Sequence, residues 1–163
     1  MRVTLALLAV CSLWAGPGNA ASTDGQWKVV WPCTEASDAY KERCSNHAYW
    51  DYFELDLWSE GDRLCGDHLA TAHLQNKVDE TGDEMDGPSI FGDVAGDTAR
   101  VNFRSAWGAT GQATIRIDGD QLRWDIITRD KGQSWIPEHE VLHRVGKRPP
   151  ATTRACPKEP LHR

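Results

Sequence analysis

The chain has 163 residues, with 24 Asp and Glu against 18 Lys and Arg, a formal net charge of −6, and five cysteines. That length suits one domain with a real core, and the acidic balance argues against nucleic acid or an anionic lipid surface as partner. No stretch is apolar for long enough to span a bilayer as a helix.

The first segment, "MRVTLALLAVCSLWAGPGNA", carries one positive charge at Arg2 and a short apolar run from Val3 to Trp14. A Gly-Pro-Gly break and small residues before Ala20 follow. This is the layout of a secretory signal peptide over residues 1–20, cut after Ala20 or Ala21. The remaining chain is expected in the periplasm or outside the cell. Cys11 is a poor lipid anchor, because Val10 stands where such signals carry a small residue.

Removing the signal leaves Cys33, Cys44, Cys65 and Cys156. An even number in an exported chain points to two disulfides, with three possible connectivities. No C-x-x-C pair suggests zinc ligation. One straight helix through Cys33 and Cys44 would hold them about 16 Å apart, too far for a bridge. A direct pair therefore needs a turn between them, and Cys44–Cys65 with Cys33–Cys156 is the favoured alternative.

From Trp27 onward the pattern is that of an all-β chain. "QWKVVW" offers Trp27, Val29 and Trp31 to one face, and "YFELDLW" offers Phe53, Leu55 and Leu57. Between them "TEASDAYKERC" reads as a short N-terminal helix, with Thr34 or Ser37 as N-cap. "DHLATAH" places His68 and His73 on opposite faces of a strand, where isolated histidines are structural. "NKVDETGDEMDGPS" reads as an acidic loop. Its Asp79, Glu80, Asp83, Glu84 and Asp86 lack the spacing of an EF-hand, so a solvated charge run is expected.

"TARVNFRSAW" alternates Ala99, Val101, Phe103, Ser105 and Trp107 against Arg100, Asn102 and Arg104, the period of a strand with one dry face. "QATIRI" and "QLRWDI" repeat it with Ala113, Ile115, Ile117, Leu122, Trp124 and Ile126 inward. Gly61-Asp62, Gly96-Asp97 and Gly119-Asp120 supply hairpin corners, since Gly takes the positive φ of tight turns. "SAWGATG" is a further Gly-bounded turn carrying Trp107. The sum is a small antiparallel β-barrel or sandwich of about eight strands, a single domain over residues 21–146.

"HEVLH", residues 139–143, has the form H-E-x-x-H and resembles the zinc-metalloprotease helix. In that family two His residues four apart share one helix face, and the Glu acts as general base. The resemblance implies His139 and His143 as metal ligands and Glu140 as catalytic base. Pro137 and Gly146 are placed to start and stop a helix; beside the metal reading stands a plainer one, a short capping helix or the exit of the last strand, with both histidines toward solvent. The metzincin extension fails, because Pro149 stands where the third His belongs. No other catalytic constellation or cofactor motif is present.

Residues 147–163, "KRPPATTRACPKEPLHR", form a Pro-rich, basic tail that reads as extended and tied down at Cys156. Charge divides accordingly. Residues 21–143 carry 11 basic against 23 acidic side chains, a formal −12, while residues 144–163 carry 6 against 1.

The signal peptide, disulfides, acidic body and small barrel together make the layout similar to that of bacterial periplasmic lysozyme inhibitors. That resemblance implies a non-catalytic, exported barrel binding a basic secreted or envelope protein, as an inhibitor or immunity factor. The expected contacts are the exposed acidic loop (Asp79, Glu80, Asp83, Glu84, Asp86) and Trp107, without a cofactor. Two alternatives stand beside it: a zinc metallohydrolase using HEVLH, and a barrel carrying a small ligand.

Overall fold

Alternating apolar residues form strands here because each strand buries one face against the others and wets the other face. The computed structural model describes residues 22–33, 41–80, 87–146 and 155–156. Among these residues nine strands are seen: β1 (Gly25–Trp31), β2 (Asp51–Glu60), β3 (Arg63–Ala72), β4 (Lys77–Glu80), β5 (Ile90–Ala95), β6 (Thr98–Arg104), β7 (Thr110–Asp118), β8 (Gln121–Arg129) and β9 (His139–Gly146). They pair in the order β2-β1-β9-β8-β7-β6-β5-β3-β4, and a β2–β3 pairing closes the ring. The result is a closed eight-strand antiparallel barrel, with β4 as an extra strand. Closure removes the unpaired edges that an open sheet of this size would present.

The three Gly-Asp pairs occupy the two-residue connections β2–β3, β5–β6 and β7–β8. Gly61, Gly96 and Gly119 take φ of 66°, 68° and 59°, the left-handed region that only Gly enters without strain.

The barrel interior is packed solid. Trp27, Phe53, Leu55, Leu57, Val101, Phe103, Ile115, Leu122, Trp124 and Leu142 are all at or below 1% exposure. Phe53 and Phe103 both meet Trp124 edge-on, at centroid distances of 5.7 and 5.9 Å. Eight strands leave an interior just wide enough for side chains to fill. Ala99, Val101, Phe103, Ala113, Ile115, Ile117, Leu122 and Trp124 are buried as their alternation requires. At the end of the barrel where β9 finishes, the Arg144 guanidinium sits 3.9 Å from the Trp27 ring centroid. It also donates to the backbone oxygens of Ser22 and Asp24.

Four expectations are corrected. HEVLH is not helical: His139–Gly146 is β9, paired with β8 from Gln121↔His143 to Asp125↔His139. Closing the ring between β8 and β1 demands a strand at this point, and that demand outweighs the local helix signals. The disulfides are Cys33–Cys44 and Cys65–Cys156, not Cys44–Cys65 and Cys33–Cys156. The Cα atoms of Cys33 and Cys44 lie 5.4 Å apart, a distance that one straight helix through both would not allow; among the described residues of this segment, helix α1 covers Lys41–Ser45. The proposed caps Thr34 and Ser37 fall outside the described residues, as do residues 1–20, Asp83, Glu84, Asp86 and all of the tail except Ala155 and Cys156. The start of the supposed acidic loop is strand β4, paired with β3 from Leu69↔Glu80 to Ala72↔Lys77. Lastly, β3 stops at Ala72, so His73 lies beyond the strand rather than on its outer face.

Cys65 faces outward on β3. Together with Cys156, Trp58 and Phe91 it forms a small apolar cluster separate from the barrel core.

Candidate functional site

One end of the barrel is built from the β3–β4 turn, the β6–β7 turn (residues 105–109) and the segment joining β8 to β9. Asp79, on β4, ties the second and third of these to β3. Its Oδ1 accepts from His68 Nε2 at 3.2 Å and from Ala106 N at 2.9 Å. Its Oδ2 accepts from Ser105 Oγ at 2.7 Å, Trp135 N at 2.9 Å and Ser134 Oγ at 3.2 Å. Asp79 is wholly buried, so the expectation of an exposed acid is overturned at this position. The physical reason is the donor supply: five hydrogen bonds replace the lost hydration of the carboxylate.

These contacts set its titration. Burial is the largest single influence and raises the carboxyl pKa. The His68 hydrogen bond and charge, with the Trp135 amide and Ser105 hydroxyl, outweigh it and hold the group at about 2.

His68 is itself bonded through Nδ1 to Ser89 Oγ at 2.7 Å. The chain of contacts Ser89–His68–Asp79 has the residue types of a hydrolase triad. Its setting does not suit catalysis, since Ser89, His68 and Asp79 are 0%, 3% and 0% exposed. No face of the Ser89 hydroxyl is open to a substrate carbonyl. An ionised Asp79 can only accept, so His68 Nε2 carries a hydrogen. Nδ1 meets the Ser89 hydroxyl at 2.7 Å, and Ser89 Oγ accepts from the His68 backbone amide at 3.1 Å. Every polar atom of the group is satisfied, which is the signature of a structural network.

Above this buried clasp lies a rim of aromatic side chains. Trp107 is 39% exposed. Its indole N–H donates to the Val78 carbonyl at 2.7 Å, and its ring meets the edge of Trp135 with centroids 6.2 Å apart. His73 packs edge-on against Trp135 at 5.4 Å. Lys77 Nζ lies 5.1 Å from the Trp107 ring centroid.

The β3–β4 turn that presents His73 is strained. His73, Leu74 and Gln75 all have left-handed φ, at 56°, 60° and 61°. Non-glycine residues hold such angles only where their surroundings enforce them. Asp51 does so here, accepting from Leu74 N at 3.1 Å, Gln75 N at 2.9 Å and Thr71 Oγ1 at 3.2 Å. Gln75 Nε2 also donates to the backbone oxygens of Ala48 and Trp50.

Among the residues singled out from sequence, Asp79, Glu80 and Trp107 come together at this end, although only Glu80 and Trp107 reach solvent. Sequence reading missed Asp51, His68, Ser89, Ser134 and Trp135 as partners. For His68 a signal existed: it faces Leu55 across β2 and β3, so alternation from Leu55 and Ala70 points it inward.

The histidines of HEVLH are not at this site. His139 and His143 share the outer face of β9, but four residues of strand separate them by about 13 Å. One metal ion cannot bridge that gap at imidazole–metal bond lengths. Glu140 points to the other face and accepts from Trp31 Nε1 at 2.9 Å, while His139 Nδ1 contacts Asp125 at 3.0 Å. Zinc hydrolysis by the H-E-x-x-H arrangement is therefore excluded by geometry.

In comparison with known proteins, no family model, no curated protein and no solved structure matches this chain.

Proposed function

We propose that this protein is an exported, non-catalytic β-barrel that binds a basic protein of the cell envelope or its surroundings, as an inhibitor or immunity factor. The observation that carries the reading is the rim itself. A barrel whose interior is already full offers its end loops for recognition, and here those loops are locked by Asp79 and Asp51 around an exposed Trp107. Rigid loops on a rigid scaffold lose little entropy on binding, and exposed Trp is the residue type that most often anchors interfaces. The formal −12 of residues 21–143 supports a basic partner, because complementary charge accelerates encounter. The two disulfides support a periplasmic or secreted location.

The small-ligand alternative is weakened by the same packing, since Trp27, Trp124, Phe53 and Phe103 occupy the space a ligand would need. The test is a binding titration of the purified chain against a c-type lysozyme, with a pull-down from envelope extract, at low and high salt. Binding at low salt that weakens steeply with salt supports the reading. No retained protein, together with a small molecule bound in native mass spectrometry, overturns it.

A further inference from the structure

We infer that the exposed face of Trp107 is a cation subsite, built to take an arginine or lysine side chain of the partner, and that Lys77 fills it in the free protein. The inference rests on the reading that the rim binds a basic protein, and it names the chemistry of the first contact.

Among the described residues four cations lie over aromatic rings, and three are held by other bonds. Lys28, over Tyr52, is paired with Glu54 at 3.0 Å. Arg43, over Tyr49, donates to the Leu74 carbonyl at 3.3 Å. Arg144, over Trp27, donates to two backbone oxygens. Lys77 is different: among the described residues its ammonium has the Trp107 ring, 5.1 Å from the centroid, and no carboxylate. Trp is also the aromatic that attracts cations most strongly.

The ring cannot turn away. Its Nε1–H is fixed to the Val78 carbonyl, its backbone amide donates to Ser105 Oγ at 3.0 Å, and Trp135 braces its edge. Ser105 is in turn fixed by Asp79. A fixed ring thus faces an ammonium carried on a flexible four-carbon stem. Lysine is a compact, strongly hydrated point charge on a flexible stem, so leaving the ring for water costs it little. A guanidinium stacks better and is less strongly hydrated, so arginine is the expected successor. The exchange makes and breaks no covalent bond. Lys77 acts as a competitor held on the same chain.

The experiment uses the full chain and an octa-arginine peptide as probe, read by tryptophan fluorescence and calorimetry at low salt. Trp107→Leu should weaken binding by about tenfold or more, whereas Trp107→Phe keeps a ring face and most of the affinity. Lys77→Met should tighten binding by more than Lys131→Met, which removes an exposed charge from the neighbouring β8–β9 segment without touching a ring. Octa-lysine should bind more weakly than octa-arginine. The inference is overturned if wild type fails to bind octa-arginine. It is also overturned if Trp107→Leu binds like wild type, or if Lys77→Met and Lys131→Met act alike. Thermal melts report whether Trp107→Leu folds; where it does not, the comparison of Trp107→Phe, Lys77→Met and Lys131→Met decides. Lysozyme binding that persists while the peptide results fail would overturn the subsite alone and leave the proposed function standing.

Discussion

Asp79 Oδ1 lies 3.2 Å from His68 Nε2, and neither side chain reaches solvent. The pair joins β4 to β3 inside the protein, and the remaining Asp79 bonds reach residues 105–106 and 134–135. Removing one partner of a buried, hydrogen-bonded pair leaves the other uncompensated, at a cost of about 3–5 kcal/mol. Asp79→Ala should lower the unfolding free energy obtained from urea titration by that amount, and with it the midpoint, and release the rim, seen as faster amide exchange at Ala106 and Trp135. An unchanged midpoint would show that the clasp contributes nothing to stability.

The same carboxylate sets an acid limit. Its folded pKa is depressed from an ordinary 3.8 to about 2. Stability from a depressed carboxylate is complete above the unfolded value and is lost as pH falls through the folded one. The affected window is therefore between about pH 4 and pH 2. The loss amounts to about 2 kcal/mol. Denaturation midpoints measured across that window should fall in wild type and fall less in Asp79→Asn, which cannot titrate.

Asp51 holds Leu74 and Gln75 in left-handed conformations that they would otherwise leave. Asp51→Ala removes three hydrogen bonds from a strained turn, and a loss of about 2–3 kcal/mol is expected. Because the turn also carries His73 against Trp135, the variant should shift the Trp135 indole resonance. A spectrum identical to wild type at Trp135 would disconnect the turn from the rim.

The two disulfides should contribute unequally. Cys65–Cys156 closes a loop of 91 residues and Cys33–Cys44 one of 11. On the chain-entropy account these are worth about 5 and about 3 kcal/mol. Paired Cys→Ala replacements compared by urea unfolding should follow that order, with Cys65/Cys156 the more damaging. The reverse order would mean that strain or residual unfolded structure governs the effect.

Glu140 is a structural residue on this fold. Glu140→Ala should cost about 1–2 kcal/mol by leaving Trp31 Nε1 without its acceptor. His139→Ala and His143→Ala, both on the exposed face, should each stay within about 0.5 kcal/mol of wild type. Zinc content after dialysis should be far below one equivalent in all four proteins. Stoichiometric zinc lost on His139→Ala would contradict the strand geometry of β9.

Much of the barrel was legible in the chain because its information is local. Phe53, Leu55 and Leu57, or Ala113, Ile115 and Ile117, declare a buried face by alternation alone. Gly61, Gly96 and Gly119 mark corners by the one backbone conformation that glycine adopts freely. Other features depend on partners distant in sequence, and only the tertiary structure decided them. HEVLH satisfies the local rules of a helix, yet the barrel needs a strand between β8 and β1, and the pairing of whole strands outweighs a few tenths of a kcal/mol of propensity. Asp79 looks like one acid in an acidic run. It is buried because His68, Ser105, Ala106, Ser134 and Trp135 converge on it, and nothing within a few residues of Asp79 announces those donors. The disulfide partners follow the same logic, since thiols pair according to which Cα atoms the finished fold brings within reach, a distance that spacing along the chain does not encode.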